Sequence, residues 1–189
     1  DVLFTALAKG ADRAVKVPIN QASLGTVASA KVLADFFAAS GPIAADTLLL
    51  PGSQAIDDLE GEVAPLLAAA LNLPYVGVVC GVKAADGKAT VMKEFAGGLR
   101  AEFEVTLPAV LGIQSAEKPP RYVPVAKVRA VMKTAKIEEM NVAAPERPIG
   151  LDIERTYKPE AAGRAQMFEG APEDVADKLA EVLAKAGGI

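Results

Sequence analysis

The 189-residue chain has no histidine, no tryptophan and a single cysteine, and each absence removes a class of chemistry. Without an imidazole there is no Ser-His-Asp or Cys-His arrangement and no histidine general base. One thiol can build neither a disulfide framework nor a zinc constellation, so a metal site would have to be made of oxygen alone, and none is expected. Aromatic residues make up 5%, which leaves nucleobases few rings to stack on. The net charge of −4 is mild and Lys and Arg are scattered, so nucleic acid is excluded as a partner. Long apolar runs are missing too. The longest weakly apolar window, residues 63–82, is interrupted by Pro65, Asn72 and Pro74, so no membrane span is expected. Asp1-Val2-Leu3-Phe4-Thr5 has no cationic region ahead of an apolar stretch and does not read as a signal peptide. A reducing, cytoplasmic setting is the default, and Cys80, inside the apolar run 75–82, is expected to act as a small core hydrophobe.

Half of the residues are hydrophobic, enough for a sizeable core built mainly from Ala, Val, Leu and Ile. Val2 to Lys9 reads as the end of a helix with Gly10 in the left-handed position after it. Ala14 to Val17 reads as a strand, Leu24 to Ala39 as an amphipathic helix, Thr47 to Leu50 as a buried strand, and about Glu62 to Leu71 as a helix. The period then changes to two. Asp86-Gly87 marks a turn between strand-like runs. From Leu99 to Val105 the apolar residues fall on one face and Arg100, Glu102 and Glu104 on the other, wet face. Leu107 to Leu111 is apolar throughout and reads as a return into the core. Val123 to Lys136 is basic and partly helical, and Asn141 to Gly170 has little periodicity. Pro172, Glu173 and Asp174 open a final helix with a stripe of Val175, Leu179, Val182 and Leu183.

This order predicts an α/β fold, an open and largely parallel sheet with helices on both faces, plus a hairpin region and an extended C-terminal arm ending in a helix. The expected division is an α/β domain of nucleotide-binding type over 1–140 and the arm with its helix over 141–189. Such a sheet seldom begins with a helix that no strand precedes, so the domain is expected to be incomplete at its N-terminus.

Three motifs stand out. The first is Leu50-Pro51-Gly52-Ser53-Gln54-Ala55-Ile56-Asp57-Asp58-Leu59-Glu60-Gly61-Glu62-Val63, where an apolar strand enters a glycine-bearing loop and then a helix. An open α/β sheet usually holds its ligand at such a place. The second is Lys93-Glu94-Phe95-Ala96-Gly97-Gly98-Leu99 followed by Leu107-Pro108-Ala109-Val110, and the third is Pro120-Arg121-Tyr122. In this order, along nearly the whole chain, they resemble the beta subunit of electron-transfer flavoproteins.

The resemblance implies a Rossmann-like domain related to the adenine-nucleotide alpha-hydrolases, which pairs with an alpha subunit and carries electrons from flavin dehydrogenases to a respiratory acceptor. It implies an electron carrier rather than an enzyme with catalytic residues, and FAD shared with the alpha partner. It also implies some sixty further residues, with a first strand, ahead of Asp1. In the family the first motif cradles the phosphate of an adenine nucleotide. Gly52, Gln54, Asp57, Asp58, Gly61 and Val63 match its pattern, whereas Leu59, Glu60 and Glu62 replace an Asp, a Thr and a Gln. Glu60 would put a carboxylate against a phosphate. An AMP site therefore stays open against a plain helix start, in which Asp58 caps the helix and Glu60 and Glu62 complement its dipole. Arg121 and Tyr122 match the start of the loop that docks onto dehydrogenases, with Val125 where the family has an anchoring leucine. Two other readings stay open: an adenine-nucleotide-binding regulatory module, and a structural subunit with a degenerate nucleotide site.

Overall fold

The computed structural model describes residues 1–19, 24–56, 60–143, 154–155, 157–160, 163 and 165–187. They form two compact units, 1–153 and 154–189.

In the first unit α1 (Val2–Lys9) stops at Gly10, which has φ 111° and returns its N–H to the Leu7 carbonyl at 3.0 Å. A left-handed glycine ends a helix in this way at little steric cost. Then follow β1 (Val15–Lys16), α2 (Thr26–Ser40), β2 (Leu48–Leu49), α3 (Val63–Leu71), β3 (Tyr75–Ala85), β4 (Lys88–Glu94), β5 (Arg100–Thr106), β6 (Ala109–Ile113), α4 (Val125–Thr134) and β7 (Glu138–Glu139). Among the described residues the main sheet has the order β2-β6-β3-β4-β5. β2, β6 and β3 are parallel, and β3, β4 and β5 form an antiparallel meander. The expected open α/β sheet is therefore present, with its parallel part in the first three strands and the expected hairpin region in the rest.

Two features shape the meander. Asp86 (φ 51°) and Gly87 (φ 74°) both sit at positive φ between β3 and β4, the condition for a two-residue turn that matches strand twist. Gly97 and Gly98, at φ 76° and 77°, do the same work in the short turn between β4 and β5. In the sheet order β3 and β4 lie between β5 and β6, yet only Leu107 and Pro108 join β5 to β6 in sequence. The sheet must therefore curl until the end of β5 reaches the start of β6. Leu107 N–H donating to the Gly87 carbonyl at 3.0 Å closes that curl. Inside it lies a core of Val79, Ala89, Val91, Val105, Ala109 and Leu111. On the other face, Leu49 and Val110 meet Leu67 and Ala68 of α3, with Leu33, Ala34 and Phe37 of α2 packed behind them.

Register shifts on either side of Val79 mark a bulge in β3, and Val78 there has φ 59°, an unusual conformation for a β-branched residue. Cys80 is half-buried, with its thiol 3.5 Å from the Met92 carbonyl. β1 and β7 form a separate parallel pair, tied by Arg13 to Glu138 and Lys16 to Glu139 at 2.7 and 2.9 Å. The hydrogen bonds from Arg13 hold the Glu138 carboxyl below its ordinary range and raise the guanidinium. Such exposed pairs contribute little to stability. In the second unit α5 (Pro172–Lys185) is the expected amphipathic helix, and Leu179, Val182 and Leu183 remain nearly half exposed.

Candidate functional site

The site is built where the parallel strands end. The chain leaving β2 does not turn away at once but runs on beside β6. Ser53 N–H donates to the Ile113 carbonyl at 3.0 Å, Ile113 N–H donates to the Pro51 carbonyl at 2.9 Å, and Gly52 bridges to Ile113. The Ser53 hydroxyl adds a bond to the Gly112 carbonyl at 2.8 Å. The outgoing limb of the loop is thereby anchored to the sheet.

The returning limb comes back onto it at Gly61. This residue has φ 64°, and a Cβ there would stand 2.8 Å from the Ser53 carbonyl oxygen. Both the dihedral and the close backbone approach require glycine. Glu62 follows at φ −100°, ψ −3° as the N-cap of α3. A positive-φ residue beside a right-handed one is a backbone pattern that turns successive N–H groups to one side, where an anion can be received. The α3 N-terminus adds its dipole and the leading N–H groups of Val63 and Ala64. Pro65 contributes none, and Leu66 N–H is already satisfied by the Glu62 carbonyl at 3.0 Å.

The backbone thus suits an anion, while side-chain charge opposes one, since Glu60 and Glu62 are both exposed beside the helix start. Glu62 makes no capping hydrogen bond with its side chain, so its effect on α3 is through charge alone. Of the residues singled out in the sequence, Gln54 lies against Gly61, Glu62 and Val63 follow at the start of α3, and Asp57 and Asp58 lie outside the described residues. Gly52 meets nothing where its Cβ would be.

Sequence reasoning missed the floor next to this loop. A Cβ on Gly112 would lie 2.9 Å from the Tyr75 hydroxyl and 3.5 Å from the Ser53 hydroxyl, and the Tyr75 ring also covers Gly77. Burial pushes the Tyr75 hydroxyl above its usual range. An isolated glycine inside a strand is a signal of close approach, and Gly77 and Gly112 both carry it.

The residues of the third motif lie apart from the loop. Arg121 Nη1 donates to the Lys9 carbonyl at 3.3 Å, at the C-terminus of α1, where a cation complements the dipole. α4 packs against α1 and starts at Val125, after Pro124 as N-cap. Tyr122 is 83% exposed and Val125 65%. A groove of about 440 Å³ between α2 and α3 is lined by Val27, Ala30, Lys31, Asp35, Leu66 and Ala70 among others, and by none of the loop residues. Among the described residues no helix is long and apolar enough to cross a membrane.

Residues 1–145 match the family model described as the electron transfer flavoprotein domain. The chain is similar to the electron transfer flavoprotein subunit beta of Syntrophomonas wolfei, 34% identical over 181 residues that cover 96% of this chain and 68% of the relative. The protein of that name from Methylophilus methylotrophus is 32% identical, covering 94% and 69%. The mitochondrial subunit beta of Arabidopsis thaliana is 31% identical, covering 95% and 70%. Match and likeness run over most of the chain, through the strand, loop and helix just described, and the chain belongs to the electron transfer flavoprotein beta-subunit family.

Proposed function

We propose that this beta subunit pairs with an electron transfer flavoprotein alpha subunit and carries electrons from flavin dehydrogenases to a respiratory acceptor, in a cytoplasmic setting. It makes and breaks no bonds itself. FAD, shared with the alpha partner, supplies the redox chemistry when bound, and this chain contributes a wall of its site. The observation that supports pairing most directly is the open apolar stripe of α5, because Leu179, Val182 and Leu183 have no full cover of their own. Uncovered apolar stripes of that kind mark interaction surfaces. The arm and helix from residue 141 onward are assigned to the partner's surface. Co-expression with an alpha subunit tests this: a stable complex is expected, and two subunits that elute apart at micromolar concentration would refute it.

In this reading the backbone at Gly61 and the start of α3 keeps a shape that fits a phosphate, while the charge around it makes AMP binding weak. Exchanging Glu60 for Thr and Glu62 for Gln removes two carboxylates from the helix start without touching Gly61. AMP affinity is expected to rise at least about tenfold, a modest effect for relieving close like-charge repulsion. Calorimetric titration of the alpha–beta complex, wild type against double variant, reads the change directly. Tight AMP binding by the wild type would show that the acids point away from the phosphate.

Dehydrogenase docking is assigned to Tyr122 and Val125, with Arg121 in support. Val125→Asp places a charge in an apolar contact, where it stays unpaired, and should weaken dehydrogenase binding while leaving alpha association unchanged. Arg121→Ala should loosen the α1 end as well, because its guanidinium holds the Lys9 carbonyl. Surface plasmon resonance with a dehydrogenase and with the alpha subunit separates the two effects. Equal loss of both associations from Val125→Asp would make the segment structural.

A further inference from the structure

Tyr122 and Val125 are carried on a segment that is held at both ends. At its start Arg121 Nη1 reaches the Lys9 carbonyl at 3.3 Å, and in its middle α4 packs against α1. At its end β7 lies along β1, with Glu138 N–H donating to the Ala14 carbonyl at 3.2 Å and Met140 N–H to the Lys16 carbonyl at 3.0 Å. No apolar side chain of β7 sets that pairing, because β7 is two exposed glutamates. A strand without a buried face has a weakly specified register, so charge must specify it. Glu138 and Glu139 point to opposite faces, and each face carries one tie, Arg13 to Glu138 and Lys16 to Glu139. The two ties are not equal. Lys16 brings one ammonium to one oxygen at 2.9 Å, a point charge on a flexible stem that can follow a shifted strand. Arg13 grips both oxygens of Glu138, Nε to Oε1 at 3.1 Å and Nη2 to Oε2 at 2.7 Å, and a planar fork closes in one geometry.

We propose that Arg13 is a positioning residue for dehydrogenase docking: its fork on Glu138 fixes the register of β7 on β1 and, through β7, the seat of α4 with Tyr122 and Val125 at its start. Arg13 touches no dehydrogenase itself. The pair is exposed on both sides, so it adds little to stability; what it adds is geometry. A slip that keeps each glutamate on its own face moves β7 by two residues, roughly 6.6 Å. Only Ala135, Lys136 and Ile137 separate α4 from β7, so such a slip is passed on to α4. The proposal rests on the docking role assigned to this segment and goes beyond it, because Arg13 lies outside the docking motif and more than a hundred residues before it in the chain.

Two measurements on the alpha–beta complex test the proposal. Spin labels at Lys83→Cys on β3 and Lys127→Cys on α4, introduced into a Cys80→Ser beta chain before assembly, give a distance distribution by double electron–electron resonance. Surface plasmon resonance of the unlabelled complex on an immobilised flavin dehydrogenase gives the docking affinity. Arg13→Lys keeps the charge and loses the fork. It should shift or broaden the distance distribution and weaken dehydrogenase binding at least about fivefold, since a misplaced contact costs affinity without being removed. Alpha association and melting temperature should stay as in wild type. Exchanging the pair, Arg13→Glu with Glu138→Arg, rebuilds the fork with its polarity reversed and should restore both readings to near wild type. Unchanged distances in Arg13→Lys, or an exchanged pair that fails to restore them, would overturn the proposal. Affinity lost with distances unchanged would make Arg13 a direct contact instead. Val125→Asp keeps the two assignments apart: if it leaves dehydrogenase affinity unchanged, the docking role of the segment fails, while the distances still judge whether Arg13 seats α4.

Discussion

Aspartate at Leu179 and Leu183 together is expected to reduce association with the alpha subunit by at least about a hundredfold. Both lie on the apolar stripe of α5 and both remain about half exposed. Fully burying a leucine side chain is worth roughly 1.5–3 kcal/mol; with about half of each still to cover, the two together give roughly 1.5–3 kcal/mol, and burying two unpaired charges takes the loss past the roughly 2.8 kcal/mol that a hundredfold represents. Both side chains keep nearly half of their surface exposed in the isolated chain, so its melting temperature should fall by less than about 5 °C. Calorimetric titration with the alpha subunit and a thermal scan of the isolated chain give the two readings. A large fall in the melting temperature would place these leucines in the chain's own core instead.

Gly61→Val should lower the stability of the first unit by roughly 2–4 kcal/mol. Two costs add: a β-branched residue at φ 64° and a side chain driven against the Ser53 carbonyl. The expected fall in melting temperature is about 5–12 °C for a chain of this size. Gly52→Ala is the matched control. It lies in the same loop, but its Cβ would meet nothing, so the change should stay within about 0.5 kcal/mol. Two glycines of one motif, both matching the family pattern, thus separate into one required by backbone geometry and one that the described contacts do not require.

Local signals made most of the elements legible. Gly10 past α1, Asp86-Gly87 between β3 and β4, and Gly97-Gly98 before β5 are turn chemistry that acts within a few residues, and the structure places a turn or helix end at each. The apolar run ending at Leu111 became β6, whose first four residues are buried. What stayed hidden depends on residues far apart. The order β2-β6-β3-β4-β5 and the curl of the meander follow from pairing between distant strands, which periodicity cannot show. β7, Glu138–Glu139, is two charged residues held by Arg13 and Lys16 from the other end of the unit, and by propensity it is no strand. Val78 at positive φ runs against β-branched preference altogether. The alternation in β5 correctly gave its wet face, but Leu99 and Phe103 on the other side remain open as well.

The candidate site divides in the same way. Its glycine, its helix start and its acids are readable, because strand, loop and helix are contiguous in sequence. The Ser53 bond to Gly112 and the Tyr75 ring over Gly77 and Gly112 join segments from three strands, and only the two glycines hint at them. The motif led to the expectation that Arg121 sits in a docking loop, and the structure shows its guanidinium donating to the Lys9 carbonyl at the end of α1.

The visible spectrum of the purified complex with its alpha subunit tests the central claim most directly. Flavin absorbance at about one FAD per heterodimer is expected, with none retained by the beta chain alone, because in the proposed function the flavin is held mainly by the partner. A stable heterodimer without flavin, or a beta chain that keeps flavin without its partner, would contradict it.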